Sequence, residues 1–162
     1  MDIFKLSERS MGMSDEVWAR HASPWSVWTR FAVLPLFTLA VWSRVWIGWW
    51  ALLPVALAIF WVWANPRIFP PPARMDNWPG RGTKGERLFL ARKETPLPRH
   101  HLRAAYILTA LSAVGLAPFI YGLWVLDLGW TVAGIVMIAL PKAWFVDRMV
   151  WLNADMSGDR PD

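Results

Sequence analysis

No cysteine occurs among the 162 residues. Disulfides, thiolate nucleophiles, cysteine-bound zinc, iron–sulfur clusters and covalently attached c-type haem are excluded together. Histidine is nearly as scarce: His21, His100 and His101 are the three. None falls inside an apolar segment, which argues against a b-type haem or chlorophyll held by a membrane-buried imidazole of this chain. Acidic residues are also missing from the apolar segments. A proton-coupled transporter would need them there. No DNA- or RNA-binding motif is present, so nucleic acid is not an expected partner. No cleavable signal peptide is evident, because the first apolar run begins near Trp25, behind a mixed-charge stretch.

What the chain has instead is apolar length and tryptophan. Hydrophobic residues make up 56% of it and Trp alone contributes 14, too much for an ordinary soluble domain of this size. Four apolar segments stand out: Trp25–Ser43, Trp46–Ala64, Ala104–Leu126 and Gly129 to about Val146. A bilayer core of about 30 Å takes about 20 helical residues, so all four can span it, the last marginally. Ser23 and Pro24 read as a cap and first residue for the opening helix. The connections Ser43-Arg44-Val45 and Asp127-Leu128 are so short that the spans must pair as two antiparallel hairpins. The expected fold is therefore an all-α membrane protein in one domain. It comprises a 1–24 N-terminus, a 25–64 hairpin, a 65–103 basic loop, a 104–146 hairpin and a 147–162 tail.

Charge orients it. Of 17 Lys and Arg residues, 16 fall in residues 1–30, in the 65–103 loop or from Lys142 onward, and Arg44 alone lies on the far side. The positive-inside rule then puts both termini and the loop in the cytoplasm, as expected for a bacterial inner-membrane protein. Twelve of the tryptophans cluster near the ends of the spans, as two interfacial belts. Ser14 followed by Asp15 and Glu16 predicts a short interfacial helix from about Asp15 to Ala22, with Trp18 facing inward.

Each span carries one interior proline, at Pro35, Pro54, Pro118 and Pro141. Each would free a carbonyl one turn back, at Phe31, Trp50, Val114 and Met137, and bend its helix. The kinks suit either splayed helices around a cavity or a bundle bent only for packing. Ala105, Thr109, Ala113 and Ala117 form a small-residue stripe along the third span. Segments 48–67 and 129–148 align without gaps, matching Gly48 with Gly129 and Arg67 with Arg148. A parallel repeat would place Arg67 and Arg148 as equivalent headgroup contacts; two ordinary interfacial anchors would look the same.

The candidate chemistry is thin. Gly80-Arg81-Gly82-Thr83-Lys84-Gly85 is a literal GxGxxG, but no strand precedes it, so it is no dinucleotide fingerprint. Its glycines with Arg81, Lys84 and Arg87 could still wrap a phosphate. Glu86 to Lys93 reads as a short amphipathic piece on the membrane surface. His21, His100, His101 and Glu86 could converge at the cytoplasmic mouths of the hairpins. Adjacent His100 and His101 cannot share one metal from a regular helix, so no metal and no cofactor is expected. Lys142 is placed to snorkel, with Asp147 as a poorly spaced partner.

The runs His21-Ala22-Ser23-Pro24-Trp25-Ser26-Val27-Trp28-Thr29-Arg30-Phe31 and Asn65-Pro66-Arg67-Ile68-Phe69-Pro70-Pro71-Pro72 resemble those of an uncharacterised prokaryotic membrane family. That family is known only as a domain of unknown function. The resemblance extends through Gly85-Glu86-Arg87 and the histidines after Pro98, and implies a shared fold but no activity. The residues favour a non-catalytic accessory, scaffold or lipid-binding protein. Its partners would be anionic lipid headgroups, a larger membrane complex or further copies of itself. The alternative is an interfacial enzyme acting on a lipid or phosphorylated substrate through the His/Glu cluster.

Overall fold

A computed structural model describes residues 3–158, and every regular element in them is helical. The N-terminal part holds α1 (Ile3–Ser10) and α2 (Asp15–His21). Ser14 caps α2 by accepting from the Val17 amide at 3.3 Å, and Trp18 is buried beneath it. Next come α3 (Pro24–Phe31), α4 (Val33–Trp42), the single turn α5 (Arg44–Ile47), a 3-10 turn over Gly48–Ala51, and α6 (Leu52–Ile68). After an extended proline-rich stretch follow α7 (Trp78–Leu90), α8 (Arg99–Val114), α9 (Leu116–Val125) and the 30-residue α10 (Leu128–Ser157).

Three helical stretches are long and apolar enough to cross a membrane: Pro24–Ile68, Arg99–Val125 and Leu128–Ser157. The first reverses on itself. Gly48, at φ 56° and ψ −131°, takes a backbone conformation open to glycine and turns the chain. Ser26 Oγ consequently donates to Asn65 Oδ1 at 2.7 Å, and Asn65 Nδ2 to Thr29 Oγ1 at 2.7 Å. Ser26 and Asn65 are fully buried, so this polar clasp fixes the register of α3 against α6. At the opposite end, Arg44 donates to the carbonyls of Leu123 and Trp124 at 2.6 and 2.8 Å. Those are C-terminal carbonyls of α9, which lack helical partners and attract a cation.

The spine of the molecule is α10, against which α7, α8 and α9 all pack, while α4 packs on α6. Phe89, Leu97, Ala105, Leu108, Phe145, Met149 and Leu152 make the buried core where α7, α8 and α10 meet, with Phe4 of α1 edge-on to Phe89 at 4.9 Å. The outward surface of α3–α6 and α8–α10 is lined with exposed Trp, Leu, Ile and Val, which suits contact with lipid chains.

Several expectations change. The 65–103 segment is not simply a loop, because it contains α7. Three glycines and Pro79 depress helix propensity there. Asn77 nonetheless caps the helix by accepting from the Gly80 amide at 2.9 Å, with Pro79 in the first turn. The expected surface piece from Glu86 belongs to the same helix. Two of its glycines face α10: a Cβ on Gly85 would stand 1.8 Å from the Met149 carbonyl oxygen, and one on Gly82 2.8 Å from Val146, while Gly80 packs on Met75. Arg87 reaches Asp15 and Lys84 is exposed, so the sequence GxGxxG serves helix packing here. Helix α10 runs to Ser157, well beyond Val146, and the tail to that point is helical.

The prolines also differ in kind. Pro35, Pro54 and Pro118 are each the third residue of a new helix, and the preceding elements end at Phe31, Ala51 and Val114. Proline's missing N–H ends one helical run and its fixed φ starts the next. Pro141 and the unremarked Pro66 lie inside helices. The small-residue stripe does not form the seam, since Ala113 and Ala117 are exposed. A four-residue spacing drifts about 40° per step around a 3.6-residue helix. The buried face follows Ala105, Leu108, Gly115, Phe119 and Gly122 instead.

Candidate functional site

A cavity of about 570 Å³ opens where α1, α2, α3, α7, α8 and α10 approach one another. Its walls are largely apolar, including Phe31, Leu34, Leu108, Ile138, Phe145 and Val146. Five titratable residues line it as well: Glu8, His21, Arg30, Glu86 and Lys142. That volume falls within the roughly 300–1,000 Å³ of small-ligand sites, and apolar walls with a few converging polar groups are their usual chemistry.

Local structure explains the convergence. His21 ends α2, and the Ser23-Pro24 start of α3 follows at once, so the two helices meet at an angle set by two residues. Arg30, nearly two turns into α3, folds back toward that junction. Its Nε donates to the Ser26 carbonyl at 3.0 Å, and its Nη1 lies 2.7 Å from His21 Nε2 and 2.9 Å from Nδ1. Arginine has only donors, so His21 meets it as an acceptor, in the neutral form. Burial first, then the charges of Arg30 and Lys142, push the His21 imidazole well below its ordinary value. Glu86 comes from α7, placed by the Gly85 contact beside it, with Oε2 at 3.9 Å from His21 Nε2. Lys142 follows Pro141 in α10, and its Nζ sits 4.7 Å above the Phe145 ring. Trp18 donates to Glu8 Oε1 at 3.2 Å and meets the His21 ring edge-on.

The remaining histidines form a separate cluster. His101 Nε2 is 2.8 Å from Asp155 Oδ2, and Arg148 Nη2 is 3.2 Å from His101 Nδ1. His100 Nε2 lies 3.8 Å from the same carboxylate oxygen, its ring 4.1 Å from that of His101. Ligand atoms of His100, His101 and Asp155 fall within 4.8 Å of one another, so adjacent histidines at the start of a helix do converge, contrary to expectation. Proton order nevertheless suits a clasp better than a metal. Arg148 can only donate, so Nδ1 of His101 accepts and Nε2 carries the hydrogen given to Asp155. A metal would need that Nε2 lone pair, and a bound imidazole ordinarily gives its other N–H to an acceptor, not to a guanidinium.

The four expected members of a His/Glu cluster thus divide in two, His21 with Glu86 and His100 with His101. Arg67 and Arg148 are not equivalent. Arg67 donates to the Trp63, Met11 and Gly12 carbonyls and stacks on Trp63 at 4.1 Å, tying the N-terminal segment to α6. Arg148 holds His101. Arg81, Lys84 and Arg87 lie along α7 and do not line the cavity. Asp147 accepts from Trp78 Nε1 at 3.3 Å rather than pairing with Lys142. Glu8, Arg30 and Asp155 are the residues that sequence reasoning passed over. Arg30 did carry a signal, as a permanent cation inside the first apolar segment. Asp155 carried none, being a surface acid in an unremarkable tail.

The chain belongs to a family of unknown function, DUF6653, whose model matches residues 5–162. No curated protein and no solved structure matches it. The runs that carry the resemblance converge on the cavity: His21, Val27, Arg30 and Phe31 from the first, Pro66 from the second and Glu86 from the third all line it.

Proposed function

We propose that this is a four-span inner-membrane protein that binds a phospholipid, headgroup first, in the cavity between its two hairpins. Within Pro24–Ile68 the reversal at Gly48 supports two crossings, and Arg99–Val125 and Leu128–Ser157 supply the others. The positive-inside distribution supports a cytoplasmic position for both termini, α7 and the cavity mouth. One observation carries the binding assignment: Arg30 and Lys142, from different hairpins, face one cavity that His21, Glu86 and Glu8 also line and whose walls are otherwise largely apolar. Two cations suit a phosphate, and phenyl and aliphatic side chains suit the chain attached to it. The role is that of an accessory or lipid-carrying subunit.

Two experiments test this. The cysteine-free chain accepts single reporters, so Val45→Cys should react with an impermeant maleimide in intact cells and Lys84→Cys only after permeabilisation. The reverse pattern sinks the orientation. Native mass spectrometry of gently extracted protein should show one retained phospholipid, lost in the Arg30→Gln/Lys142→Gln double variant. Equal retention in wild type and variant removes the cavity as the site.

The interfacial-enzyme alternative keeps His21 and Glu86, 3.9 Å apart, beside two phosphate-binding cations. Its signature would be headgroup or phosphate loss from the retained lipid over time, absent in a Glu86→Gln variant.

A further inference from the structure

The charges lining the cavity cancel. Arg30 and Lys142 contribute two positives, Glu86 and Glu8 two negatives, and His21 is neutral while it accepts from Arg30. A headgroup with net charge −1 would leave this site one negative charge in excess among Phe31, Phe89 and Phe145, where an uncompensated ion is costly. A zwitterion preserves the balance. The acids are also placed to be used: Glu86 Oε2 stands 3.9 Å from the same His21 Nε2 that meets Arg30 Nη1 at 2.7 Å, and Glu8 accepts from the Trp18 indole N–H at 3.2 Å. Two carboxylates lining one cavity suit a primary ammonium, which offers three N–H donors to share between them.

Resting on the lipid-binding reading above, the geometry points to an aminophospholipid as the occupant: a phosphodiester carrying a primary ammonium, with Arg30 and Lys142 on the phosphate and Glu86 and Glu8 on the ammonium. The phosphate takes the place on Arg30 that His21 otherwise occupies. His21, with Arg30 and Glu86 both near its Nε2, stays neutral where the two halves of the headgroup meet. A quaternary trimethylammonium has no N–H to give, and a glycerol headgroup has no positive charge, so both fit less well.

The test uses the full chain in nanodiscs holding equal fractions of phosphatidylethanolamine, phosphatidylglycerol and phosphatidylcholine, with the retained lipid identified by native mass spectrometry. The ethanolamine lipid should be retained about tenfold over either competitor, the scale of one charge-assisted hydrogen bond. Glu86→Gln, which keeps the side-chain shape, should bring the ethanolamine-to-glycerol ratio to one or below. Glu8→Gln should lower it in the same direction, and Glu94→Gln, an acid outside the cavity, should leave it unchanged. Excess soluble phosphoethanolamine separates the sources. Retention that survives it supports a membrane lipid, and displacement supports the same headgroup chemistry drawn from solution. Wild-type preference for the glycerol lipid, or a ratio indifferent to Glu86→Gln and Glu8→Gln, overturns the assignment. If that occurs while retention still depends on Arg30, lipid binding stands and only the headgroup class is wrong. If no lipid is retained under any condition, both fall.

Discussion

The two histidine clusters hold the same kinds of residue and do different things with them. Around His101, an arginine, an imidazole and a carboxylate form one chain of hydrogen bonds with no space between them. Around His21, an arginine, an imidazole and a carboxylate surround a cavity, and the carboxylate stays 3.9 Å away, short of a hydrogen bond. The first set spends its groups on one another, apart from the Arg148 Nε, and fastens α8 to α10. The second leaves Lys142 and Glu86 with capacity to spare, beside room for a ligand. Composition does not separate a structural clasp from a binding site here. Space beside unspent charge does.

The largest expected effect breaks one cluster and spares the other. Gly85→Ala would drive a methyl group into the Met149 carbonyl, so α7 must lift from α10. Overpacking of this severity costs about 3 kcal/mol or more. Because α7 carries Glu86 and the cavity wall, lipid retention should vanish, whereas His101 and Asp155 lie on α8 and α10 and should remain paired. Thermal unfolding and native mass spectrometry on the same sample check both halves. A stable variant with normal retention would mean α7 does not build the site.

How far this contrast was legible in the sequence depends on distance along the chain. The all-helical class with membrane-length apolar stretches, the Ser14 cap and the inward Trp18 rest on short-range patterns, and the structure carries all three. Helix α7 was hidden because Gly80, Gly82 and Gly85 oppose helix formation locally, and the reason for Gly82 and Gly85 is a close approach to α10 more than sixty residues away. Pairing followed the same rule. His21 with Arg30 lies within reach of local reasoning, while Glu86 and Lys142 join them only through packing of α7 and α10. The division of His100 and His101 from His21 was equally invisible, since it depends on Asp155. Asn77-Trp78-Pro79, a cap with proline in the first turn, was the one local sign of α7.

A middle-sized effect sharpens the comparison from the other side. His101→Leu keeps volume but strands Arg148, whose Nε already lacks a partner, and removes the donor to Asp155. A buried group left unpaired costs about 1–3 kcal/mol, so the melting temperature should fall. Lipid retention at a temperature where the variant is folded should equal wild type. Loss of retention there would tie the second cluster to the site after all.

The smallest effect is one of pH, and it separates the clusters through His21. In the folded chain burial and the adjacent cations hold its pKa well below the ordinary value, which is about 6.5 in an unfolded chain. Below that value the unfolded chain binds a proton that the native site refuses. Stability is therefore undiminished above about pH 6.5 and declines as the pH falls from there toward the folded-state pKa. His21→Gln has no proton to take up, so the His21 part of this decline should disappear between pH 7 and 5. Melting curves across that range, wild type against variant, read the difference directly. Parallel curves would mean that His21 does not face its cations in the neutral form, and with that the contrast between an open site and a closed clasp would lose its electrostatic half.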